Sequence, residues 1–121
     1  MTWEILFHPE FDVEFDSLPI GVQDEMLAQA KKLERFGPQP GRPHVDTLKG
    51  SSHANMKELR FGAEGGVWRV AFAFDPKRNA VLLVAGDKSG GSEKRFYRQL
   101  IAKADQRFGW YLAAMRSERK K

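Results

Sequence analysis

The sequence predicts an α+β domain built from an N-terminal strand, a helical hairpin, an antiparallel β-meander and a C-terminal helix, with the helices against one face of the sheet. Apolar residues recur at helical spacing in two long windows, Val22 to Leu33 and Phe96 to Met115. Between them, three β-prone runs are separated by hairpin-length segments rich in Gly, Pro and Asn. The chain has 121 residues, 41% hydrophobic with nine Phe and three Trp, enough for one core and too few for two. One domain over residues 1–121 is expected, with residues 116–121 as a frayed tail.

Trp3 to Phe7 is aromatic and β-branched and reads as the first strand. Pro9 opens a helix, because its fixed φ suits the first turn and its missing N–H costs nothing there. Phe11, Phe15 and Leu18 share one helical face; Pro19 and Gly21 separate this piece from the next. Val22, Met26, Ala30 and Leu33 form the stripe of the second helix, which Gly37 and Pro38 stop. Residues 37–43 read as loop. Strands follow at Met56–Phe61, Val67–Asp75 and Ala80–Asp87, the second with Trp68, Val70, Phe72 and Phe74 on one face. The third is apolar on both faces and so central. Ser92 is the expected N-cap of a last helix from Glu93 to Met115.

Composition narrows the chemistry. There is no Cys, which removes disulfides, thiolate metal sites and a cysteine nucleophile. His8, His44 and His53 follow no metal-ligand spacing and read as surface or cap residues, so no metal and no cofactor are expected. Phosphate-loop, dinucleotide and nucleophile-elbow motifs are absent; Gly86 to Gly91 reads instead as a mobile turn holding Lys88. Asp12 and Asp16 share a helix face as solvated carboxylates. No apolar run could cross a bilayer and no signal peptide is visible at Met1-Thr2-Trp3-Glu4, so a cytoplasmic protein is expected.

Charge is uneven along the chain. Residues 1–66 carry seven Lys or Arg against eleven Asp or Glu, while residues 67–121 carry thirteen against five. The second half, at +8, suits a phosphate-bearing partner. Antiparallel pairing can bring Arg60 and Arg69 onto one exposed sheet face, with Lys88 after the third strand and Lys94, Arg95, Tyr97 and Arg98 at the start of the last helix. Such a face suits an RNA backbone and an unstacked base. Tyr97 also falls within the apolar arc of its helix, where it could pack with only its hydroxyl at the rim.

The ordered series Leu48-Lys49-Gly50, Lys57-Glu58-Leu59-Arg60, Trp68-Arg69-Val70, then an apolar strand leading to Lys88 and Tyr97, resembles the RelE/ParE superfamily of bacterial toxins, and within it the phage-derived HigB-like branch. The resemblance runs from Trp3 to about Phe108. It implies a RelE-like fold and the toxin of a type II toxin–antitoxin system. It further implies a metal-independent endoribonuclease that cuts messenger RNA on the 70S ribosome, and a HigA-like helix-turn-helix antitoxin as partner. By the same resemblance Arg69 holds the scissile phosphate, while Lys88 and Tyr97 complete the catalytic set. The basic residues beside them, Arg60, Lys49, Lys94, Arg95 and Arg98, are expected to bind RNA. The RelE pattern has two lysines where this chain has Met56 and Glu58, and the turn before Tyr97 is longer here.

The expected reaction is attack of the RNA 2′-hydroxyl on its own phosphate, with Arg69 and Arg60 stabilising the phosphorane and Lys88 and Tyr97 moving protons. At neutral pH only about one in a thousand of such amine or phenol groups is in its basic form, so the isolated protein is expected to be a poor nuclease. This reading requires the cations to converge on one pocket, with Arg69 outside the packed interior. The alternatives are a ParE-like toxin that inhibits DNA gyrase by binding and a non-catalytic RNA-binding module. The antitoxin could dock on the acidic hairpin, with Asp12, Glu14, Asp16 and Glu25, or on the basic cleft.

Overall fold

A computed structural model describes residues 3–37 and 44–119. The elements in chain order are β1 (Glu4–Phe7), α1 (Pro9–Asp16), α2 (Ile20–Phe36), β2 (Val45–Thr47), β3 (Met56–Ala63), β4 (Gly66–Phe74), β5 (Asn79–Asp87) and α3 (Glu93–Arg119). They form one five-stranded sheet in the order β1-β5-β4-β3-β2. β1 runs parallel to β5, and every other neighbouring pair is antiparallel.

Local chemistry explains most boundaries. His8 caps α1: its Nδ1 accepts the Glu10 backbone N–H at 3.1 Å, and Pro9 occupies the first helical position. The cap reading of His8 is therefore right, but the ring is buried rather than on the surface. Gly37 ends α2 at φ +58°, and a Cβ there would lie 2.2 Å from the Trp3 indole nitrogen, so both the turn and the close approach require glycine. The loop expected over residues 38–43 lies outside the described residues. β3 and β4 run further toward each other than their apolar runs suggested. Only Glu64 and Gly65 turn the chain, both at positive φ, the geometry of a two-residue hairpin matched to strand twist.

The helices do not share one face of the sheet. α1 and α2 cover one face, where Phe11, Phe15, Val22, Met26 and Leu33 pack on Leu59, Phe61, Val70, Phe72, Ala80 and Leu82. α3 covers the other, where Leu100, Ala104 and Phe108 pack on Met56, Ala71, Ala73, Val81, Leu83 and Val84. The cause is visible in β5, whose consecutive residues Ala80 to Val84 are all buried; a strand apolar on both sides needs a layer on each. Small Ala71 and Ala73 on β4 let α3 approach closely. A register shift between Ala71 and Phe72 turns both Leu83 and Val84 toward α3.

Two further differences are local. β2 was not foreseen: three residues carry almost no periodic signal, and its pairing with β3 is a tertiary effect. α3 continues to Arg119 instead of stopping at Met115, so most of the expected tail is helix. Its buried Arg107 ties it to α1, donating to Glu14 at 2.8 Å and to the Leu83 carbonyl at 2.7 Å.

Candidate RNA-binding cleft

The apolar packing under α3 ends where β3 and β4 present Glu58, Arg60 and Arg69. Arg60 and Arg69 are Cα partners across the two strands. Two guanidinium groups directly opposite repel, and a carboxylate two residues along the same strand face offsets that. Glu58 supplies it, with Oε1 3.1 Å from Arg69 Nε. Phe96 anchors the start of α3 against Gly86, where a Cβ would meet the ring at 2.8 Å. That contact sets the next residue, Tyr97, over the pair. The Tyr97 hydroxyl donates to Glu58 Oε1 at 2.7 Å and accepts from Arg69 Nε at 3.2 Å. Arg69 also donates from Nη1 to the Trp68 carbonyl at 2.9 Å. Burial raises the Tyr97 pKa above its ordinary value of 10.0, with the bond to Glu58 adding to it, so the phenol form is held.

Above this floor lies a cleft of about 300 Å³, lined among others by Thr47, Lys49, Glu58, Arg60, Glu93 and Tyr97. Lys88 stands at its edge, with Nζ 6.0 Å from the centroid of the Tyr97 ring and 3.0 Å from Glu93 Oε1. A larger concavity of about 720 Å³ between Trp3, His53, Phe74 and Phe108 lacks convergent cations. Among the described residues no cluster of three or more His, Asp or Glu is arranged to hold a metal ion, and no helix is long and apolar enough to cross a membrane.

Each expected site residue thus has a place. Arg69, Tyr97, Lys88, Arg60 and Lys49 converge on one region. Lys94, Arg95 and Arg98 are exposed on the first turns of α3 and do not line the cleft. The expectation that Arg60 and Arg69 share an exposed sheet face is corrected at Arg69. Tyr97 and the start of α3 cover it, and it is 5% exposed. Arg60, half-buried, is the guanidinium that reaches the cleft. The turn read as mobile is pinned at its start: Asp87 accepts the Val67 and Ser89 backbone N–H groups, and the Lys88 N–H donates to the Val67 carbonyl. The Ser89 hydroxyl, which also donates to Asp87, and then the Ser89 and Val67 N–H groups hold the Asp87 carboxyl below its ordinary pKa.

Sequence reasoning missed Glu58 and Glu93. The signal for Glu58 was its i, i+2 relation to Arg60 beside a facing Arg69.

Residues 13–109 match the family described as Phage derived protein Gp49-like (DUF891). The "Putative toxin HigB3" of Mycobacterium tuberculosis is 40% identical over 110 residues, which is 91% of this chain and 94% of that protein. The "Putative toxin HigB2" of the same organism is 46% identical over 89 residues, 73% of this chain; the match spans only 44% of HigB2. Among solved structures, a mutant of E. coli toxin RelE in the free state superposes with a TM-score of 0.61 at 10% identity, covering 85% of this chain and 97% of that one. An archaeal RelE–RelB complex from Pyrococcus horikoshii gives 0.54 at 22% identity, covering 75% of this chain and 100% of that one. The chain belongs to the phage-derived Gp49-like family, as a HigB-like member on the RelE fold.

Proposed function

We propose that this chain is the toxin of a toxin–antitoxin pair and halts translation by cleaving messenger RNA on the ribosome. The observation that carries the reading is the hydrogen-bonded Glu58–Tyr97–Arg69 cluster beneath a cation-lined cleft. A cleft of about 300 Å³ accommodates roughly one nucleotide.

In this reading Glu58 is the general base. It is the one carboxylate of the cluster, and so the group there whose oxygens can accept a proton. Its carboxylate takes the proton of the RNA 2′-hydroxyl. The freed oxygen attacks the adjacent phosphorus and the bond to the 5′-oxygen breaks. Lys88, as an ammonium, protonates that leaving oxygen. The products are a 2′,3′-cyclic phosphate and a 5′-hydroxyl. Tyr97 stays a phenol, orients Glu58 and remains a donor. Arg60 meets the phosphate from the cleft, and Arg69 balances Glu58 from below. Lys49, Lys94, Arg95 and Arg98 hold RNA backbone. The ribosome supplies the attack-ready shape of the message.

A HigA-like helix-turn-helix antitoxin is the expected partner, and a cytoplasmic site of action follows. The acidic hairpin remains a docking candidate at Asp12 and Asp16, whereas Glu14 is engaged by Arg107.

A binding-only inhibitor, acting on gyrase or RNA without cutting, has one observation in its favour: the burial of Arg69, which fails the requirement that it lie outside the packed interior and leaves Arg60 to meet the phosphate in the cleavage reading. Purified protein with translating ribosomes separates the readings. Cleavage predicts new message ends bearing 5′-hydroxyls. Arrested growth with intact message and lost supercoiling activity rejects cleavage and selects the gyrase reading.

A further inference from the structure

The Lys88–Glu93 ion pair has no role in the chemistry above and opposes it: a carboxylate occupies the ammonium that must reach the leaving oxygen of the substrate phosphate. Nζ lies 3.0 Å from Oε1, and Glu93 lines the same cleft as Lys49, Arg60 and Tyr97. The carboxyl is held below its ordinary pKa by the bond from Lys88, then by the fields of Lys88, Arg69 and Arg60. A negative group is therefore favoured where Glu93 stands. The Glu93 side chain is 66% exposed, so water screens the pair and a polyanion can compete for it. Between the two residues, Gly90 and Gly91 sit at positive φ with nothing within 4 Å of where a Cβ would be.

We propose that Glu93 is a built-in competitor for the RNA phosphate: it holds Lys88 at the cleft edge until the substrate backbone displaces it, and so sets how tightly RNA is bound. The proposal rests on the RNA-binding reading of this cleft. Glu93 touches Lys88, not a reacting atom, and is a positioning residue.

The test is titration of the full chain with a single-stranded oligoribonucleotide carrying 2′-methoxy groups, which cannot be cut by the 2′-hydroxyl route, over a range of KCl. E93Q is expected to bind about three- to tenfold tighter than the unmodified protein at low salt, with the gap closing as salt screens the charges. In a K88Q background the gain from E93Q is expected to fall below about twofold, because the coupled partner is gone. D24N, with the same charge change on exposed α2, controls for net charge and is expected to stay within about twofold of the unmodified protein. Unchanged or weaker binding by E93Q, an equal gain in D24N, or a full gain without Lys88 overturns the competitor role while leaving RNA binding intact. No binding by either the unmodified protein or E93Q overturns both the competitor and the RNA reading.

Discussion

The two faces of the sheet are packed on different terms. Under α1 and α2 the face is apolar along its length, from Trp68 through Val70 and Phe72 to Phe74. Under α3 it is apolar for half its length, then changes at Glu58, Arg60 and Arg69 to buried and half-buried charge. Phe72 and Arg69 lie three residues apart on β4 and look in opposite directions. The first face puts its free energy into cohesion. The second holds a charged cluster that well-packed apolar residues could replace with no loss of stability. On the proposed reading the cluster serves chemistry rather than cohesion, so damage to the two faces should be separable.

The largest effect is expected on the apolar face. Phe72→Ala removes a fully buried ring and should cost about 3–5 kcal/mol, read as a lower urea midpoint. Any loss of toxicity should then follow the unfolded fraction. On the other face, Arg69→Met should cost about 3 kcal/mol, because Glu58 is left buried without its partner. Adding Glu58→Gln should recover most of that stability and no activity. Recovery of both would mean that the cluster is structural and would erase the contrast between the faces.

Tyr97→Phe sharpens the comparison at smaller cost. The ring keeps its packing, and the bond to the Glu58 carboxylate and the bond from Arg69 are both lost, about 2 kcal/mol in all. Cleavage on ribosomes should fall by about a hundredfold, as expected when a group that sets proton transfer is removed. A variant of full activity would leave Tyr97 as packing alone.

The smallest effect is on pH. His8 has a folded pKa below its ordinary 6.5, first from burial and then from the nearby Arg107 charge. The unfolded chain therefore binds more protons, so this contribution is present above pH 6.5 and is lost as pH falls toward the folded value. Glu14 is lowered chiefly by its bond from Arg107; at Asp75 burial pushes upward, and the bonds from Tyr111, Asn79 and the Lys77 N–H together outweigh it. Their contribution is present above their ordinary values and disappears at still lower pH. Thermal midpoints should thus decline in two stages on acidification. His8→Asn, which keeps a capping side chain, should remove only the first stage. Persistence of both stages in that variant would assign the first to another group.

The two faces were unequally legible in the sequence. Val22, Met26, Ala30 and Leu33 announced α2, and Trp68, Val70, Phe72 and Phe74 announced one face of β4, because burial of a stripe leaves a period in the sequence. The same logic applied to β5 already required a second covered face, which the one-face arrangement overlooked. The cluster was only partly readable. Residue type and register brought Arg60 and Arg69 together. The depth of Arg69 and the engagement of Glu58 by Tyr97 depend on where α3 crosses the sheet, and that is set by Phe96 on Gly86 and by Arg107 reaching α1. Contacts of that kind leave no periodic mark.

The most direct test of the account is to map message ends on translating ribosomes for the unmodified protein and for Glu58→Gln at matched folded concentration. The account predicts 5′-hydroxyl ends with the unmodified protein and a loss of about a hundredfold or more in their rate of formation with the variant. A folded Glu58→Gln protein that cuts at the unmodified rate would contradict it.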